Sequence, residues 1–478
     1  MRVRAVVWAA VLLTAGCGSS PDAPEAAAPA TSAAPATSAA APSTDAGGCP
    51  TRRAEPDPDR PVVDLEFSLA ADLRTVTGTE TVTFTADLPT DELVFRLVPN
   101  GPDATALGNQ LTVDDVRGED VARGGYESAG AAAPGGLYVV ALDDPLTEGE
   151  STDVELDFTV HLGGGGFERL GTAPDVSWWA SGFPLLSWEP GVGWARDPFV
   201  ALTGETASSP VSDTTVSVDA PAALTVLMTG DQDEPTRERG GRRTWTSHEP
   251  VARDVSVAVG AFVTADTEVA GVRVTAGALP GSGHDPARLA RSTADAIEQL
   301  SARFGDFPYA TLTVPWLPDF GGGIEYPSSI LLATDADVVL VHEVAHMWFY
   351  GMVGDSQFRD PWLDESFASY AESVTGDPEP DRVTRLLATE GDVGGSMADF
   401  PDDRTYVTTV YGKGAAMLLT ARQQAGAEAF DAALRCYVDA QAWAIATPAD
   451  VGTALADLPA ALGVLEQAGA LDPEDLPR

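Results

Sequence analysis

Between about Pro56 and Val274 the chain alternates apolar and polar residues with a period of two. Val63, Leu65, Phe67 and Leu69 form one such run, and Val154, Leu156, Phe158 and Val160 another. Leu224, Val226 and Met228, then Val255, Val257 and Val259, repeat the pattern. Successive strand side chains point to opposite faces, so this spacing predicts antiparallel strands with one buried and one wet face. Near residue 285 the pattern changes. Asp285-Pro286 has the form of a helix cap followed by proline in the first turn. Leu289, Ala296, Ile297 and Leu300 then share one helical stripe up to Gly305, with Thr293 weakening it. Beyond that point helices dominate, apart from a strand-like patch from Tyr309 to Pro315. The expected fold class is therefore α+β: a β domain at 56–270, then an α-rich domain at 271–478. A length of 478 residues suits two or three domains.

The N-terminus follows a different logic. Arg2 and Arg4 precede an apolar run from Ala5 to Leu13, too short to span a bilayer, and then Thr14-Ala15-Gly16-Cys17. This resembles a bacterial lipoprotein signal: residues 1–16 would be removed and Cys17 lipidated. Thr14 departs from the leucine usual three residues before the cysteine, so plain secretion stays open. The stretch to residue 55 is mostly Ala, Pro, Ser and Thr up to Gly48 and reads as a disordered tether. The expected location is the extracytoplasmic face of the cell membrane. In an exported chain Cys49 and Cys436 could form a disulfide, or stand as one exposed and one buried thiol. The net charge of −44 argues against a nucleic-acid partner, because such a surface repels phosphate backbones.

Only five histidines occur, and two of them stand in His342-Glu343-Val344-Ala345-His346. On a helix, positions i and i+4 share a face, so the two imidazoles could hold one zinc ion at about 2.0–2.1 Å each. Glu343, at the edge of that face, could reach the attacking water without being a ligand. Taken alone the pattern also describes two histidines in a buried helix. A catalytic zinc site needs a third ligand, and eighteen residues after His346 stands Glu365, within Trp362-Leu363-Asp364-Glu365-Ser366-Phe367-Ala368. Gly351 and Pro361 let one helix end and a second begin between them.

H-E-x-x-H, eighteen residues and then W-L-x-E-x-F-A resembles the gluzincin aminopeptidase family, the group of aminopeptidase N and leukotriene hydrolase. Gly322-Gly323-Ile324-Glu325-Tyr326 is similar to the family's exopeptidase motif in its bacterial G-x-x-E-Y form. Val410-Tyr411-Gly412-Lys413-Gly414-Ala415 is similar to its Y-x-K-G-A motif, and Lys413 is the sole lysine of the chain. Asp364 stands for the usual Asn, Ser366 for the usual Gly and Met347 for a common Gln.

The resemblance implies an antiparallel β domain with a saddle-like sheet, followed by a thermolysin-like zinc catalytic domain. It implies one zinc per chain on His342, His346 and Glu365, with Glu343 as general base and Tyr411 donating a hydrogen bond to the developing oxyanion. Glu325 would bind the substrate's α-ammonium, and a peptide would add to an edge strand near Gly322 and Gly323. Lys413 would support Tyr411. The expected function is a zinc aminopeptidase acting on peptides. Two alternatives stay open: a zinc endopeptidase with an open cleft, and an inactive peptide-binding surface lipoprotein. Sixty-seven residues follow Tyr411, too few for the long C-terminal helical domain of larger relatives, which suggests a more open cleft. His161, His248 and His284 read as turn residues, and no G-x-S-x-G elbow accompanies them.

Overall fold

The computed structural model describes residues 49–477 apart from 51, 166, 205, 206, 319 and 377. The signal segment, Cys17 and most of the tether lie outside them.

Four sheets carry most of the described strands. A seven-stranded sheet is centred on Val62–Leu69 and Thr75–Thr85. In the first of these strands Val63, Leu65, Phe67 and Leu69 are buried while their neighbours face outward, as the alternation predicts. Two four-stranded sheets follow. One contains Thr90–Arg96 and Leu137–Leu146; the other contains Val176–Ala180 and Ser256–Gly260. The fourth sheet, of five strands, runs from Val263–Val269 to its edge strand Gly323–Tyr326.

Three pairings among the described strands are parallel. Val62–Leu69 runs parallel to Ser212–Pro221, and Thr311–Pro315 runs parallel to both Val272–Ala278 and Ser329–Leu332. The period-two pattern records which face of a strand is buried, not the direction of its neighbour, so the sequence carried no signal for them. His161 and His248 lie in strands, Ser151–His161 and Arg242–Ala252, and His284 lies in the loop before residue 286, stacked on Trp316.

Helix Pro286–Phe304 begins as expected, with the Asp285 side chain accepting from the Ala287 amide at 3.0 Å. Of the expected stripe Ala296, Ile297 and Leu300 are buried, Ala290 takes the buried place beside Leu289, which is half-buried, and Thr293 hides its hydroxyl by donating to the Leu289 carbonyl at 2.9 Å. Further along, aromatic rings pack helix Trp362–Thr375 against the turn after helix Asp337–Ala345 and against helix Ala427–Ala440. Phe367 stacks on Phe349 at 4.9 Å, and on Trp362 and Tyr437 at 5.8 Å each. Val176, Trp178 and Ala180 share a separate apolar cluster with Ile324, Tyr326 and Leu331, which fixes the five-stranded sheet's edge against the sheet below.

Cys49 and Cys436 form a disulfide, closing the alternative of two free thiols. Arg53 pairs with Asp439 beside it, and the Ala54 amide donates to the Asp439 carbonyl. The entering chain is thus stapled to helix Ala427–Ala440 before it reaches the first strand. Among the described residues no helix is long and apolar enough to cross a membrane.

One buried group works against the β core. Glu80 pairs across the sheet with Leu65 and Leu156, and neither carboxyl oxygen has a hydrogen-bond partner. Burial pushes its pKa well above 4.5, so folding favours its protonated form. A raised acid pKa gives stability that is whole below the unfolded pKa and is lost as pH climbs above it. Glu80→Leu is therefore expected to stabilise the protein by about 1–3 kcal/mol near pH 8, with the gain shrinking toward pH ~4. Urea unfolding at both pH values checks this; an equal loss of stability at both would contradict it.

Candidate metal and catalytic centre

Helix Asp337–Ala345 supplies His342 and Glu343, and His346 follows at its C-terminal cap, still held by the bond from its amide to the His342 carbonyl. The one-turn spacing survives, so both imidazoles face helix Trp362–Thr375 and converge on Glu365. His342 Nε2 lies 3.2 Å and His346 Nε2 3.5 Å from the same Glu365 oxygen, Oε2. Ligand atoms of the three residues all fall within 4.8 Å of one another.

Each ring is aimed from behind. His346 Nδ1 is 2.5 Å from Asp364 Oδ1, and His342 Nδ1 is 3.5 Å from Glu372 Oε2. With Nδ1 occupied, both rings turn Nε2 inward. Sequence reasoning assigned no role to either carboxylate. Glu372 had a usable signal, since it stands seven residues after Glu365 and so on the same helical face. Asp364 had only its departure from the family's asparagine.

Glu343 is buried under the edge strand. A Cβ on Gly323 would stand 2.5 Å from Glu343 Cγ, so only glycine leaves room for this side chain. Gly322, at φ +152°, precedes it in a conformation that favours glycine. Glu325, in the same strand, is buried with Oε1 unpartnered, and it lines the same cleft of about 350 Å³. Glu168 and Arg169 line that cleft from the β domain. Arg169 Nη1 donates to the Tyr326 hydroxyl at 3.1 Å, bringing a cation beside Glu325 from 156 positions earlier in the chain, a contact no local pattern announces.

Tyr411 lies in a π-helical turn, Val407–Lys413. Its ring stacks near-parallel to His342 at 5.9 Å, and its hydroxyl donates to Glu365 Oε1 at 2.5 Å. Lys413 does not point at Tyr411: its Nζ donates to the Gly391 carbonyl at 2.5 Å.

The electrostatics ask for a cation. Glu325, Glu343, Asp364 and Glu365 are all buried around two imidazoles. Burial pushes the carboxyls of Glu325, Glu343 and Asp364 up. For His342 burial acts downward, but hydrogen bonds to Glu365 and Glu372 outweigh it and hold the ring well above its usual range. For Glu365 burial acts upward, and the two imidazoles pull its pKa below the usual value. Two nitrogens and a carboxylate oxygen with preset orientation fit zinc. The set Glu325, His346 and Asp364 also clusters, but Asp364 is already engaged by Nδ1 of the ring whose Nε2 faces Glu365.

If Asp364 aims His346, Asp364→Ala should weaken zinc affinity by about 10–100-fold. Competition against a graded series of chelators measures it. An affinity within twofold of the parent would show that the Asp364 contact plays no part in holding the metal.

The model of the peptidase family M1 domain matches residues 326–391, which span His342, Glu343, His346 and Glu365. Over 210 residues the chain is 27% identical to the Tricorn protease-interacting factor F2 of Thermoplasma acidophilum, covering 36% of this chain and 26% of that protein. It is 31% identical over 156 residues to aminopeptidase N of Streptomyces lividans, 28% of this chain and 17% of the other. The matches thus span about a quarter or less of these relatives. A solved M1 zinc metallopeptidase from Deinococcus radiodurans superposes with a TM-score of 0.65 at 20% identity, over 90% of this chain and 98% of that one. A mutant of that protein has been solved with a tyrosyl-seryl-alanine substrate bound. The chain is thus similar to the M1 peptidases in the segment that carries the three-residue centre, and it shares the fold of a solved M1 zinc metallopeptidase.

Proposed function

We propose that this protein is a zinc aminopeptidase that removes N-terminal residues from peptides. The observation that carries the reading is Glu325: a buried carboxylate with an unpartnered oxygen, lining the same cleft as His342, His346 and Glu365. Such a group suits a substrate's α-ammonium. The likeness to a metallopeptidase solved with a short peptide supports a peptide substrate.

His342, His346 and Glu365 would hold the ion, which supplies Lewis-acid polarisation of the scissile carbonyl and acidifies the attacking water. Glu343 takes the water's proton and returns it to the leaving amine; burial already biases its carboxyl toward accepting a proton. Tyr411 turns its hydroxyl from Glu365 toward the oxyanion and donates to it. Strand Gly323–Tyr326 is the open edge of its sheet, so its outer side can pair with an extended peptide. Glu325 caps the register by binding the terminal ammonium. An inactive binding protein would need neither Glu343 nor Tyr411, and both line the cleft.

Glu343→Gln should retain zinc and lose about 10²–10⁴-fold in turnover. Glu325→Ala should cost about one to two decades in kcat/KM on free-amine peptides. N-acetylating the substrate should cost the parent enzyme a similar amount, and the two losses should not add. Steady-state kinetics on paired free and acetylated peptides, with metal analysis, decides this. Internal cleavage of acetylated peptides as fast as trimming of free ones would make the protein an endopeptidase.

A further inference from the structure

The π-helical turn that carries Tyr411 is gripped by the residue after the third metal ligand. Glu365 and Ser366 are neighbours in helix Trp362–Thr375. They hold two neighbours in the turn: Glu365 Oε1 accepts from the Tyr411 hydroxyl at 2.5 Å, and Ser366 Oγ donates to the Val410 carbonyl at 2.6 Å. Ser366 and Val410 are both fully buried. The fit is close: a Cβ on Gly414 would stand 2.0 Å from Ser366 Oγ, so only glycine lets the serine reach past it. On the far side, Lys413 Nζ binds the Gly391 carbonyl, and a Cβ on Gly391 would stand 3.2 Å from Thr409 Oγ1.

A π turn carries an extra residue and is less favourable than the α-helix on either side. Relaxing to α-helical bonding would advance the segment by one residue, roughly 100° of rotation. Tyr411 would then swing off the metal centre. A side-chain donor fixed on the Val410 carbonyl resists that relaxation. We propose that Ser366 is a positioning residue for Tyr411: its hydroxyl fixes the π-helical register that puts the tyrosine hydroxyl at the metal centre. The kinetic part of this proposal rests on the aminopeptidase reading above; the geometric part does not.

Ser366→Ala and Tyr411→Phe, alone and combined, test it on a free-amine peptide, with zinc content measured for each. Ser366→Ala should lower kcat about 5- to 30-fold, the cost of a buried carbonyl losing its donor. Zinc content and KM should stay within about twofold. In the Tyr411→Phe background the same substitution should cost nothing further, because the hydroxyl it positions is already gone. Ser366→Gly, which also lacks the hydroxyl, serves if the alanine variant does not fold. Unchanged kcat in Ser366→Ala, or an equal loss in the Tyr411→Phe background, overturns the proposal. Crystal structures of parent and Ser366→Ala give a readout free of turnover: Tyr411 Oη should move beyond ~3.5 Å from Glu365, and superposable tyrosines overturn the proposal. A parent enzyme inert to every peptide amide would sink the aminopeptidase reading alone, while these two structures would still decide the role of Ser366.

Discussion

Four buried carboxylates meet two imidazoles at the base of a cleft, and much of the catalytic region is organised around keeping them there. An unpaired buried charge costs several kcal/mol. Burial favours the neutral forms of Glu325, Glu343 and Asp364, and compensating cations favour the charged ones. His342 and His346 supply part of the balance, and a divalent ion on their inward nitrogens would supply the rest. The packing that resists the mutual repulsion is aromatic. Phe367 of the glutamate helix stacks on Phe349, just after His346, and on Trp362 and Tyr437, so this helix cannot leave the histidine turn without opening a dense ring cluster.

The β domain takes part in the centre as well as flanking it. Its Arg169 sets a cation near Glu325 and bonds Tyr326. Arg253, wholly buried, donates to the carbonyls of Tyr350, Met352 and Ala444, tying a β-domain loop to the turn after the histidines. Arg359, just before the glutamate helix, pairs with the buried Glu189. Each of these arginines crosses from one half of the chain to the other, so strand edge, histidine turn and glutamate helix are held in a common frame.

The legible part of this architecture was the part written in local periodicity. Alternation in Val63 to Leu69 marked a half-buried strand, and Asp285-Pro286 marked a helix start, because both depend on near neighbours. The meeting of His342, His346 and Glu365 was legible because H-E-x-x-H sets two imidazoles one helical turn apart and the glutamate eighteen residues on starts the next helix. What escaped depends on contacts distant in sequence. Parallel pairing of Val62–Leu69 with Ser212–Pro221 leaves the same alternation as antiparallel pairing. The reach of Arg169 and the π-helical turn at Tyr411 each arise from tertiary packing that no short window contains. Ser366 was visible as a departure from the family pattern, but its meaning needed the position of Val410.

The central claim is that two imidazoles and one carboxylate from adjoining helices form a single zinc centre. Zinc K-edge X-ray absorption of the purified protein, with metal quantified per chain, tests it most directly. The account predicts one zinc per chain with about two imidazoles and oxygen donors in its shell and no sulfur. A protein that keeps no zinc after dialysis against weak chelator, or a shell containing sulfur or only one imidazole, would contradict it.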